Sequence, residues 1–107
     1  MKYKTLSQKQ GHFAFMVGRL LAFVDGLPGY YVTFGDAYSK PAYCEHMPDS
    51  LHFSRLAVDL NLFVDGEYRP ETEAYLPLGL FWESIGGSWG GRFKDGNHFS
   101  LSHNGKK

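Results

Sequence analysis

The sequence predicts a small α+β domain in which an antiparallel sheet is flanked by helices. Three observations predict it. Apolar residues at helical spacing open the chain, two later runs have strand character, and Asp65-Gly66 is a hairpin signal directly after the longer run. Strands joined by hairpin-type connections favour α+β over a parallel α/β sheet.

In chain order, Ser7 with Gln10 three residues on reads as a capping box. Phe13, Met16, Val17, Leu20, Leu21 and Val24 then fall on one helical face. Asp25-Gly26 and Pro28-Gly29 end that helix, and the β-branched and aromatic run Tyr30–Phe34 predicts a strand. Residues 35–50 read as loop. Leu56–Val64 predicts a core strand, with Leu56, Val58, Leu60 and Leu62 on one face and Ala57, Asp59 and Asn61 on the other. Glu67-Tyr68-Arg69 follows Asp65-Gly66 as the start of a return strand. Residues 71–85 suit a helix apart from Pro77 and Gly79, which oppose it. Gly86, Gly87, Gly90 and Gly91 form a glycine-rich loop around Trp89, and residues 98–102 predict a short last strand.

A chain of 107 residues and 12.1 kDa has room for one modest core, which excludes a separate cofactor-binding domain. Eleven basic and eleven acidic residues cancel, which argues against broad electrostatic capture of nucleic acid. Cys44 is the single cysteine, so no intramolecular disulfide supports the fold. Lysines at the N-terminus are not followed by a continuous apolar run, and the stretch from Phe13 to Val24 is broken by Gly18 and Arg19. The expectation is therefore synthesis in the cytoplasm without a signal peptide or stable membrane insertion.

Two segments carry the chemistry. Asp59 is a carboxylate inside a strongly apolar strand, and a buried charge needs a partner: a metal ion, an arginine or a histidine. His52 stands seven residues before it. In the second segment, Asp95 precedes His98 by three residues. Two histidines and a carboxylate form a common catalytic zinc set with one position left for water, and a further carboxylate suits a general base. Taken singly, each segment also has a plain reading, a buried ion pair in one case and an Asp-Gly turn with a solvated histidine in the other.

In order and spacing, Ser50-Leu51-His52, Ala57-Val58-Asp59 and Asp95-Gly96-Asn97-His98 resemble the small zinc peptidases of peptidoglycan. That family includes D-alanyl-D-alanine carboxypeptidases and phage L-alanyl-D-glutamate endopeptidases. The run Trp89-Gly90-Gly91-Arg92-Phe93-Lys94-Asp95, with Asp at 95, is similar to the phage branch. The resemblance implies a hedgehog/DD-peptidase-like fold, with residues 1–107 as one catalytic domain and no wall-binding domain. It implies zinc held by His52, Asp59 and His98, with Asp95 as catalytic base. Ser50, Lys40, Tyr38 and Trp89 are the expected substrate contacts, although glycines around Trp89 also suit close packing. Where the family carries an arginine after the first strand this chain has Ser39, so Lys40 or Arg55 is expected to supply the positive charge. The expected partner is the peptidoglycan stem peptide and the expected state is a monomer. The expected function is a phage endolysin that reaches the wall after membrane breach. A carboxypeptidase is the alternative enzyme, and a non-catalytic peptidoglycan-binding module that keeps the fold is the alternative class.

Overall fold

The computed structural model describes residues 3–35 and 55–102. Within them lie the helices α1 (Leu6–Asp25) and α2 (Leu76–Ser84). The strands are β1 (Tyr30–Phe34), β2 (Ala57–Val64), β3 (Glu67–Arg69), β4 (Ser88–Trp89) and β5 (His98–Ser100). All the pairings are antiparallel, in the order β1-β2-β5-β4, with β3 also paired to β2. The predicted α+β class is thus the observed one.

α1 starts two residues earlier than the sequence suggests. Its cap is Thr5, whose side-chain oxygen accepts from Gln8 N–H at 3.1 Å, while Gln8 Oε1 accepts from Lys4 N–H at 2.8 Å. Thr5 and Gln8 satisfy the same three-residue spacing as Ser7 and Gln10, so pattern alone could not choose between them. The face is as predicted: Phe13, Met16, Leu20 and Val24 are buried.

β2 is the centre of the sheet. One edge pairs with β1 along five positions, from Tyr30 opposite Val64 to Phe34 opposite Leu60. The other edge is divided between β5 at its start and β3 at its end. At the last position of the β3 pairing, where Leu62 lies opposite Arg69, the Leu62 N–H donates to the Tyr75 hydroxyl at 2.9 Å. Tyr75 is fully buried, and that burial raises its phenol above the ordinary value. The predicted hairpin turn is present, with Asp65 at φ 53° and Gly66 at φ 83°. Positive φ at both central residues matches the right-handed twist of the strands.

Alternation along β2 builds the two faces of the sheet. Val58, Leu60 and Leu62 are buried with the apolar faces of α1 and α2. Trp82 lies at the centre of that core, edge-on to Phe13 at 5.8 Å and to Phe99 at 5.9 Å. Its indole N–H donates to Ser100 O at 2.9 Å, so the largest core residue leaves no buried donor unpaired. Asp59, Asn61 and Phe63 occupy the opposite face by the two-residue period.

The two residues that oppose a helix over 71–85 are accommodated. A 3-10 turn over Thr72–Tyr75 precedes α2, and Pro77 falls in the first turn, where its missing N–H costs no helical bond. Gly79 lies beneath the Trp89 ring, and a Cβ there would come within 2.1 Å of it. Among the described residues, no helix is long and apolar enough to cross a membrane.

Candidate metal centre

Asp59 of β2 and His98 of β5 are direct cross-strand partners. Their side chains therefore rise together from one face of the sheet. Asp59 Oδ1 and His98 Nδ1 are 3.1 Å apart, with the side chains 19% and 17% exposed. A partly sheltered carboxylate thus finds the partner it requires, and water can still reach both groups. Sequence separation hides the pair; strand register creates it.

The donors suit a zinc ion. Two atoms each bound at roughly 2.0–2.1 Å to one tetrahedral zinc stand about 3.3 Å apart. The Asp59–His98 separation therefore fits joint ligation as well as a hydrogen bond. Among the described residues, no three His, Cys, Asp or Glu side chains come together. The third expected ligand, His52, lies outside the described residues, as do Ser50, Lys40 and Tyr38.

The loop before β5 is fixed by contacts that the sequence does not advertise. His98 N–H donates to Asp95 O at 3.1 Å, closing a turn over 95–98. Gly96 N–H donates to Thr72 Oγ1 at 3.1 Å, and a Cβ on Gly96 would meet Thr72 Cα at 2.7 Å. Thr72 therefore anchors the turn, although no motif marks it. Gly90 passes so close that a Cβ there would lie 2.3 Å from Asp95 O and 2.8 Å from His98 Cβ. Asp95 itself is exposed at the head of the turn, four positions C-terminal to Gly91.

On the other side of Asp59, Gly35 continues β1 and donates its N–H to Asp59 O at 2.8 Å. A Cβ there would touch Asp59 Cβ at 3.4 Å and Asn61 Oδ1 at 3.6 Å, both ordinary contacts. Asn61 Nδ2 in turn donates to Thr33 Oγ1 at 3.5 Å. The approach to the Asp59–His98 pair is thus framed by small and polar groups.

One expectation is revised. Trp89 is only 4% exposed, and its indole N–H donates to Gly96 O at 2.7 Å. Gly79 and Gly91 make room for the ring, since a Cβ on either would lie within 2.2 Å of it. The substrate contact expected of Trp89 is therefore corrected to a packing role: it clamps the 95–98 turn against α2. Arg55, one candidate for the missing arginine, lines a groove with Phe13, Val17 and Val58 on the α1 side of the sheet. That face is opposite the one carrying Asp59, and Lys40, the other candidate, lies outside the described residues.

Arg92 ties the 3-10 turn after β4 to α2 through a bidentate pair with Glu83, at 2.9 and 2.7 Å, and lies over the Trp89 ring at 5.7 Å. The hydrogen bond from Arg92 holds the Glu83 carboxyl below its ordinary value. A depressed carboxyl stabilises the fold above its unfolded value and loses that contribution as pH falls through the folded one. Arg92→Ala should therefore lower the melting temperature slightly at pH 7, the pair being largely in solvent. The difference between variant and parent should close on acidification below about pH 4.5, the ordinary value. Melting curves between pH 7 and 2 check this; a difference independent of pH would mean that the arginine acts only by packing on Trp89.

The structure thus brings Asp59 and His98 together on one sheet face and puts Asp95 on the turn that leads into His98. Residues 45–101, more than half of the chain, match the model of a family described as D-alanyl-D-alanine carboxypeptidase. The chain belongs to that family of peptidoglycan peptidases. The matched stretch contains His52, Asp59, Asp95 and His98, and it begins after Tyr38 and Lys40. No curated protein matches the chain.

Proposed function

We propose that this chain is a zinc-dependent endopeptidase that cuts the L-alanyl-D-glutamate bond of the peptidoglycan stem, and that it acts as a phage endolysin. The observation that carries the proposal is the cross-strand Asp59–His98 pair, with the Asp95 turn hydrogen-bonded directly onto its histidine. The Trp-Gly-Gly run that packs beneath this turn supports the endopeptidase branch, because it is the segment similar to phage enzymes.

His52, Asp59 and His98 would hold zinc. The ion supplies Lewis acidity that polarises the scissile carbonyl and makes a water reactive near neutral pH. Asp95 takes the proton from the attacking water as the new C–O bond forms, and returns it to the leaving amine as the C–N bond breaks. Its exposure on the turn suits this exchange. Lys40 would supply a point charge to the substrate's anionic oxygen, without an arginine's bidentate fork. Ser50 and Tyr38 would contact the stem. Synthesis in a host cytoplasm, action as a monomer and access to the wall after membrane breach belong to the same reading.

The test is digestion of purified peptidoglycan with and without a chelator, with the fragments identified by mass spectrometry. The proposal expects a chelator-sensitive new D-glutamyl amino terminus, and a loss of about 100-fold in rate for Asp95→Ala, the scale of general-base catalysis. Release of free D-alanine instead would assign the carboxypeptidase. Wall binding with no released fragment would assign the non-catalytic module.

A further inference from the structure

The face that carries Asp59 and His98 continues into a row of three aromatic rings. Tyr31 on β1 is opposite Phe63 on β2, and Phe63 is opposite Tyr68 on β3. The Tyr31 and Phe63 rings are stacked, 4.8 Å apart and 2° from parallel, while Tyr68 is tilted by 46° at 5.5 Å. Tyr31 is 47% exposed and Tyr68 is 52% exposed. A cluster of this kind on a small domain is costly to leave in water and marks a binding surface.

Phe63 follows Asp59 by four residues on β2, which places the ring row about 13 Å along the strand from the candidate metal centre. Asn61 and Thr33 lie between them, hydrogen-bonded to each other. Aromatic rings beside the amide of Asn61 and the hydroxyl of Thr33 suit a ligand with apolar C–H faces and many hydroxyls. That chemistry is a pyranose ring.

We infer that the Tyr31–Phe63–Tyr68 row is a sugar subsite, which holds the amino sugar from which the scissile stem peptide hangs. The inference rests on the proposed peptidase reading and deepens it. An extended residue spans at most about 3.5 Å, so the first stem bond lies roughly 10 Å from the centre of its sugar, and a bond at the stem terminus roughly 20 Å. The ring row is at the shorter reach. The subsite therefore selects substrates that still carry their glycan and directs cleavage to the sugar-proximal part of the stem.

The test uses the full chain and the double variant Tyr31→Ala/Tyr68→Ala. Cosedimentation with glycan strands stripped of their peptides reads the subsite without any need for catalysis. The parent should bind and the double variant should lose at least tenfold in affinity. The ratio of kcat/KM for sugar-bearing over free stem peptide should be well above one in the parent and close to one in the variant. Tyr31→Leu/Tyr68→Leu keeps the apolar area, guards against misfolding of the alanine variant and should also lose glycan binding. Equal glycan binding by parent and variants overturns the inference. So does a parent that self-associates through these rings, with sedimentation changed by the variant and no affinity for glycan. Glycan binding without hydrolysis of any stem peptide would keep the subsite and defeat the peptidase reading, so the two fail separately.

Discussion

Asp59→Ala is expected to lower hydrolysis of the stem peptide by at least about 100-fold, and to lower the zinc content of the purified protein. Even the outer partners of metal ligands are worth 10- to 100-fold in affinity or rate, and a direct ligand is worth no less. The competing account is that Asp59 and His98 form only a structural pair, 3.1 Å apart. The two accounts differ in where the loss falls. Removing one member of a buried ion pair costs roughly 3–5 kcal/mol, because the other charge is left without its partner. Side chains that retain 17–19% exposure are partly hydrated and should cost less than that. The metal account therefore expects large losses of zinc and rate with a modest change in melting temperature. Full zinc content and rate, together with a large drop in stability, would make the pair structural. Asp59→Asn sharpens the contrast, since it keeps the size and hydrogen-bonding capacity of the side chain but removes the charge that a cation prefers.

Local signals made much of the fold legible. The stripe Phe13–Met16–Leu20–Val24 faces the core, Leu60 and Leu62 alternate with Asp59 and Asn61, and Asp65-Gly66 turns the hairpin. What escaped the sequence depends on long-range contact. Pro77 and Gly79 read as helix breakers, yet one begins α2 and the other admits the Trp89 ring. Nothing local in Thr72 shows that it holds Gly96, twenty-four residues away. The candidate site shows the same division. Asp59 stands out as a charge among apolar neighbours, and Asp95 and His98 share a short segment. That Asp59 meets His98 is a fact of strand register, which no local pattern encodes and which the family resemblance alone brought together. The aromatic row was missed for the same reason: Tyr31, Phe63 and Tyr68 are distant in sequence and become neighbours only when β1, β2 and β3 pair.

Trp89→Ala should be among the most damaging single changes to stability, costing about 3–5 kcal/mol as a large core aromatic replaced in a packed site. For a domain of this size that lowers the melting temperature by more than about 10 °C. Three consequences combine. The substitution empties the space that Gly79 and Gly91 leave for the ring, it orphans Gly96 O, and it removes the surface on which Arg92 rests. Gly79→Ala tests the same contact from the opposite side. Alanine would ordinarily favour a helix over glycine by up to about 1 kcal/mol. Here its Cβ would meet the indole at 2.1 Å, and the ring is held in place by its hydrogen bond. Overpacking of this kind costs roughly 1–3 kcal/mol, so the clash wins and the variant should melt below the parent. Both changes act on the turn that presents Asp95 and orients His98, so each should also reduce the rate at temperatures where the protein remains folded. A folded Trp89→Ala protein with parental rate and zinc content would show that the turn holds its shape without the clamp. Loss of rate with the fold intact would show that this buried indole, rather than any exposed contact, is how the Trp-Gly-Gly run serves the site.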